Sequence, residues 1–132
     1  MSEENVELAK AFFAAWNARD AEGLDRLLHP DAKVTRVSER EGLPARPWGT
    51  ETSEYFRELD EAWAALRVEI SEYRHSDDLV VALGRISGTG RASGAGVDQP
   101  FATVLAVYTN RFCRVDSFGD WDAALEAAGL SE

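Results

Sequence analysis

The apolar residues change their spacing partway along the chain, and this limits the folds open to it. Up to about residue 66 they recur every three or four positions, as on one face of a helix. Beyond residue 67 they alternate, or run unbroken for a few residues between turn signals, as in strands. Helices followed by consecutive antiparallel strands describe an α+β domain. Its helices should lie on the concave face of a curved, antiparallel or mixed sheet, enclosing a cone.

The 132 residues suit one domain, residues 1–132. Residues 3–19 read as a helix with the stripe Val6, Ala9, Phe12, Phe13 and Trp16, capped by Ser2 or Asn5. After a break at Asn17-Ala18-Arg19-Asp20, Asp20 can cap a second helix over 21–28, and His29-Pro30-Asp31 should stop it. Residues 32–38 alternate as a strand, and 40–49 are broken by prolines and glycines. Thr50 or Thr52 can cap a helix reaching about Ala65. Strands are expected over 67–75, 79–91, 100–109 and 112–118, then a short helix over 123–128 with Gly129 at its end. The glycines at 84, 88 and 90 interrupt a strand, where they permit bulges or curvature; they do not open a helix and so form no phosphate loop.

Composition removes several classes. A net charge of −10 disfavours nucleic acid and anionic membranes, and no apolar run is long enough to span a bilayer. Neither is expected as a partner, and the expected location is cytoplasmic. One cysteine and two separated histidines give no metal-ligand set, so neither metal nor cofactor is expected.

The segment Arg114-Val115-Asp116-Ser117-Phe118 carries the chemistry. Alternation puts Arg114, Asp116 and Phe118 on one face of the last strand, and Phe118 marks that face as apolar. A carboxylate there is costly unless paired or able to exchange protons. Asp116 is therefore the leading catalytic residue, turned into a hollow beneath the helices. Its bland alternative is an ion pair with Arg114 at the surface. For Arg85 the alternative is an outward-facing strand arginine. Arg36 shares the face of Val34. Trp16, Tyr55, Phe101 and Phe118 belong to the aromatic set from which a pocket lining would be drawn.

The element order and several phrases resemble the SnoaL-like branch of the nuclear transport factor 2-like superfamily. The phrases are Phe13-Ala14-Ala15-Trp16-Asn17, Leu27-Leu28-His29-Pro30-Asp31, Trp48-Gly49-Thr50-Glu51, Gly84-Arg85 and the ending Ala124-Leu125-Glu126-Ala127-Ala128-Gly129-Leu130. The resemblance implies the cone fold, and three family chemistries can be compared with it. A ketosteroid-isomerase-like mechanism lacks its parts: Arg36 lies near the base position, Phe12 and Phe13 replace the helix tyrosine, and residues 100–109 hold no acid. A limonene-epoxide-hydrolase-like set keeps Arg85 and Asp116 but has Ser87 where a carboxylate belongs. A SnoaL-type cyclase needs one acid/base carboxylate. Asp116 would shuttle the proton, and Arg85 or Arg114 would steady an enolate oxygen.

Three functions follow as expectations. The first is binding of a small hydrophobic molecule, with cofactor-free acid/base chemistry of cyclase, isomerase or epoxide-hydrolase type. The second is a ligand-binding module without catalysis. The third is a scaffold that forms a homodimer through a face bearing Cys113 and Val115.

Overall fold

The computed structural model describes residues 2–35 and 52–130. Four helices are among them: α1 (Ser2–Ala18), α2 (Ala21–Leu27), α3 (Thr52–Ala62) and α4 (Trp121–Ala127). Five strands are β1 (Leu28–Thr35), β2 (Trp63–Ser76), β3 (Leu79–Gly90), β4 (Gly96–Tyr108) and β5 (Arg111–Phe118). They form one mixed sheet in the order β1-β5-β4-β3-β2, parallel only between β1 and β5. The fold is an α+β cone with the N-terminal helices on the concave face of the sheet.

Alternation along the strands divides the core in two. On the helix side, Val80 and Ala82 of β3, Leu105 of β4, and Phe112 and Val115 of β5 pack with Ala9, Phe12, Phe13, Leu24 and Phe56. Phe12 meets Phe13 and Phe112 edge-on, with ring centroids 5.1 and 5.7 Å apart. On the other side, Val81, Leu83, Ala102, Val104 and Phe118 pack against Ala124 and Leu125 of α4. The sheet thus has two apolar faces, each covered by different helices.

Several boundaries differ from the sequence reading. Asn5 lies within α1 and is buried rather than capping it. His29-Pro30-Asp31 does not separate helix from strand; β1 begins directly at Leu28. Proline is tolerated because β1 is an edge strand, with a register irregularity between Leu28 and Lys33. α3 ends at Ala62 rather than near Ala65, and Trp63 already pairs with Gly90. Ala65, at φ 57°, lies in the irregular stretch between Ala64 and Arg67, a backbone conformation that a continuing helix cannot adopt. Asp20 caps α2 by accepting from the Gly23 N–H at 3.0 Å, as the sequence suggests. Trp48, Gly49 and Thr50 lie outside the described residues.

Candidate functional site

The site is built from the rows of side chains that cross the concave face. One row runs Tyr73–Ala82–Thr103–Ser117, and the next towards the β3–β4 turn runs Ile70–Gly84–Phe101. Beyond it Val68 stands opposite Ile86. Burial is uneven across these rows: Val68 in the last is buried, and Tyr73 in the first is half-buried. Val80, Ala82, Thr103 and Leu105 are buried, whereas Ile70, Ile86 and Phe101 are half-buried, as are Tyr55 and Leu59 of α3. All five half-buried side chains pack against the helix-side core. The polar atoms on this part of the sheet are hydroxyls: Thr103 Oγ1 and Ser117 Oγ lie 3.3 Å apart.

Asp116 stands opposite Val104 and Thr35, and Val104 belongs to the core beneath α4. Its side chain is therefore on the face opposite the N-terminal helices, which corrects the expected orientation into the hollow beneath them. The reason is that the expected neighbours do share its face: Phe118 is apolar and buried there, but α4 covers it. Asp116 is 4% exposed and accepts a hydrogen bond from Arg114 Nε at 2.5 Å. Arg114 is itself 55% exposed, so the pair sits at the rim of that core and is partly screened by solvent.

Arg85 lies on this same opposite face, exposed, with Nε 2.7 Å from Asp98 Oδ1. It pairs across to Pro100, whereas Asp116 pairs to Val104. Four residues of rise and two inter-strand spacings put their Cα atoms roughly 16 Å apart. Asp116 and Arg85 therefore do not converge on one reacting atom. Trp16 packs between helices, its ring 6.4 Å from Phe56 and 4.6 Å beneath the Arg19 guanidinium. Tyr55 and Phe101 are on the concave side with Ile86. Arg36 lies outside the described residues. Val115 is buried in the helix-side core, so it is unavailable to the dimer face assigned to it. Cys113 occupies the irregularity opposite Ala106 and Val107, with its thiol directed to the Ala106 carbonyl.

Sequence reasoning passed over two residues at the end of α1. Asn17 donates from Nδ2 to the Val68 carbonyl at 2.8 Å and accepts the Val68 N–H on Oδ1 at 2.9 Å. Its amide stands in for a neighbouring strand along the β2 edge. Arg19, at φ 57°, donates to the Leu66 and Trp16 carbonyls and pairs with Asp60 at 3.0 Å. The only hint in the sequence was the polar Asn-Ala-Arg at a helix end. Tyr73, on the concave side, has its phenol pKa raised above 10.0, first by burial and second by the Glu7 carboxylate. Among the described residues, no group of three or more His, Cys, Asp or Glu is placed to hold a metal ion. No helix among them is long and apolar enough to cross a membrane.

Comparison with known proteins gives the same architecture. TerC co-crystallised with polyporic acid is 22% identical, with 93% of this chain and 96% of that one covered, at TM-score 0.74. A Catenulispora acidiphila protein of ketosteroid isomerase-like fold, in complex with trimethylamine, is 20% identical over 94% and 93%, at TM-score 0.73. A candidate SnoaL-like polyketide cyclase from Jannaschia sp. CCS1 is 22% identical over 100% and 95%, also at 0.74. No curated protein matches the chain. The model of the SnoaL-like domain matches residues 9–115, most of the concave face included, and the chain belongs to that SnoaL-like family.

Proposed function

We propose that this protein binds a small, mainly apolar molecule on the concave face, between α3 and the part of the sheet carrying Ile70, Ile86 and Phe101. The observation that carries the reading is a patch of half-buried apolar side chains beside the buried core. Ile70, Ile86 and Phe101 from three strands and Tyr55 and Leu59 from α3 are half-buried and pack against the core that includes Val68, Ala82 and Phe56. Ligand sites have this make-up: apolar walls with a few polar atoms to fix orientation. The Thr103 and Ser117 hydroxyls are one and two strands away from Ala82 in the adjoining row. Proteins of the same fold crystallised with polyporic acid and with trimethylamine support a small organic ligand. The test is titration with a panel of apolar ketones and quinones, followed by tryptophan quenching and thermal shift. Phe101→Ala should weaken any hit about tenfold or more, since burying an aromatic side chain contributes about 1.5–3 kcal/mol. A panel with no saturable binder, or binding indifferent to Phe101→Ala and Ile86→Ala, would count against it.

A second reading rests on the buried carboxylate. Asp116 would take a proton from a carbon flanked by carbonyls and return it to the product, with Arg114 holding the enolate oxygen. The roughly 16 Å to Arg85 excludes that residue from the same step. Loss of turnover in Asp116→Asn with ligand binding retained would favour this reading; turnover intact would end it. A homodimer remains part of the proposal, but not through Val115. Arg67, Glu69, Glu72 and Arg74 make the β2 part of the opposite face charged, so light scattering should show salt-sensitive association if that face is used.

A further inference from the structure

We propose that Trp121 is a positioning residue for the concave face, acting through the sheet on the row Ile70–Gly84–Phe101. The proposal deepens the concave-face reading and rests on it, but the grip on the sheet is measured separately. Trp121 opens α4 and packs with the core on the opposite side of the sheet, the one containing Val81, Leu83 and Ala102. Its indole Nε1–H nevertheless donates to the Gly84 carbonyl at 2.9 Å. Gly84 pairs with Ile70 on one side and Phe101 on the other, and both of those side chains pack with the helix-side core. A side chain of one layer thus holds the backbone between two apolar side chains of the other.

The register between β2 and β3 slips at this point. Ile70 pairs with Gly84 and Glu72 with Leu83, so Ser71 is the extra residue of a bulge. Ser71 Oγ donates to the Leu83 carbonyl at 3.2 Å, and Trp121 takes the next carbonyl along β3. A bulge bends its strand and re-aims the side chains around it. β2 comes so close here that a Cβ on Gly84 would strike the Glu69 carbonyl oxygen, so a shift of Gly84 passes directly to Glu69 and Ile70. Phe101 follows on the other side through its pairing with the same residue. Fixing the Gly84 carbonyl therefore fixes the separation of Ile70 and Phe101, about 10 Å between Cα atoms across two inter-strand spacings. Glycine places no side chain between them, so the backbone alone sets that separation.

Nitrogen–proton NMR on the whole protein tests this, with N-phenyl-1-naphthylamine as an uncharged apolar probe. Trp121→Phe removes the hydrogen bond, keeps an aromatic ring and identifies the indole cross-peak by its loss. In the parent chain, saturating probe should shift that cross-peak although the probe binds on the other face. Trp121→Phe should accelerate amide exchange at Ile70 and Phe101 about fivefold, one hydrogen bond's worth, and leave Val80 and Leu105, two rows away, unchanged. It should also weaken the probe about threefold. Val104→Ala, which trims the core beneath α4 but removes no hydrogen bond, should lower Tm and leave probe affinity within about twofold. An indole cross-peak unmoved at saturation, unchanged exchange at Ile70 and Phe101, or a loss of affinity matched by Val104→Ala would each overturn the proposal. Should Trp121→Phe fail to fold, the cross-peak of the parent chain, assigned through its own backbone, decides alone. The expected exchange pattern without any binding of the probe upholds the grip and counts against the ligand reading alone.

Discussion

Gly84→Ala tests the packing logic of the sheet most directly. A Cβ at Gly84 would lie 1.9 Å from the Glu69 carbonyl oxygen and 2.7 Å from Ile70 Cα. Both are backbone atoms, so no side chain can rotate away. The approach is this close because β2 carries an irregularity between Ile70 and Glu72, beside Gly84. To restore ordinary contact near 3.4 Å, β2 must retreat by roughly 1.5 Å, which disrupts about two ladder hydrogen bonds. The same shift disturbs the Gly84 carbonyl, which accepts from Trp121 Nε1 at 2.9 Å and thereby anchors α4. Three hydrogen bonds at about 1 kcal/mol each give a loss of about 3 kcal/mol. For a domain of this size that corresponds to a fall in Tm of about 9–15 °C. Gly96→Ala is the control, because its Cβ would meet only the Gly88 carbonyl at 4.0 Å. Thermal unfolding followed by circular dichroism should separate the two variants by about 10 °C. If Gly84→Ala melts within 2 °C of the parent chain, the close approach is not what places glycine there.

Two further outcomes follow from the same contacts. The Tyr73 phenol holds its proton more tightly in the folded state than in the unfolded chain. Its contribution to stability is therefore constant below about pH 10 and lost as the unfolded chain ionises above it. Tyr73→Phe should lose less stability between about pH 9.5 and 11 in urea titrations, and an identical alkaline loss would contradict the burial of that phenol. Asn17→Ala removes both hydrogen bonds to Val68 and bares part of an edge strand. It should cost about 2 kcal/mol in denaturant unfolding and raise concentration-dependent light scattering; a cost under 0.5 kcal/mol would mean that water replaces the amide without loss.

What the sequence made legible was periodicity, and what it hid was pairing at a distance. The stripe of Ala9, Phe12 and Phe13 gave α1, and the sheet-forming runs gave strands to within a few residues. The resemblance supplied the cone. Asn17 and Arg19 were invisible as structural residues because their partners, Val68 and Leu66, are about fifty positions away. Their polar side chains read as a break, and in the structure they bind the helix end to the β2 edge. Trp63 was assigned to a helix because its spacing from Leu59 is helical; the pairing with Gly90 overrode that local preference.

Asp116 shows how a correct local inference can lead to the wrong side of a sheet. Alternation rightly grouped Arg114, Asp116 and Phe118, and Phe118 rightly marked an apolar surface. Period-two patterning says which residues share a face; it does not say which layer covers that face. In a cone with helices at both ends of the chain, two apolar faces compete for that assignment. The seven residues of α4, with Trp121 bonded to Gly84, are enough to bury the second. The exposed Arg114 then neutralises the carboxylate at the margin, where a buried charge would otherwise require an interior partner. The concave face keeps hydroxyls, phenol and apolar walls instead of this carboxylate. A ligand held there would be selected by shape and neutral hydrogen bonds, while any proton transfer by Asp116 would need a substrate reaching the rim beneath α4.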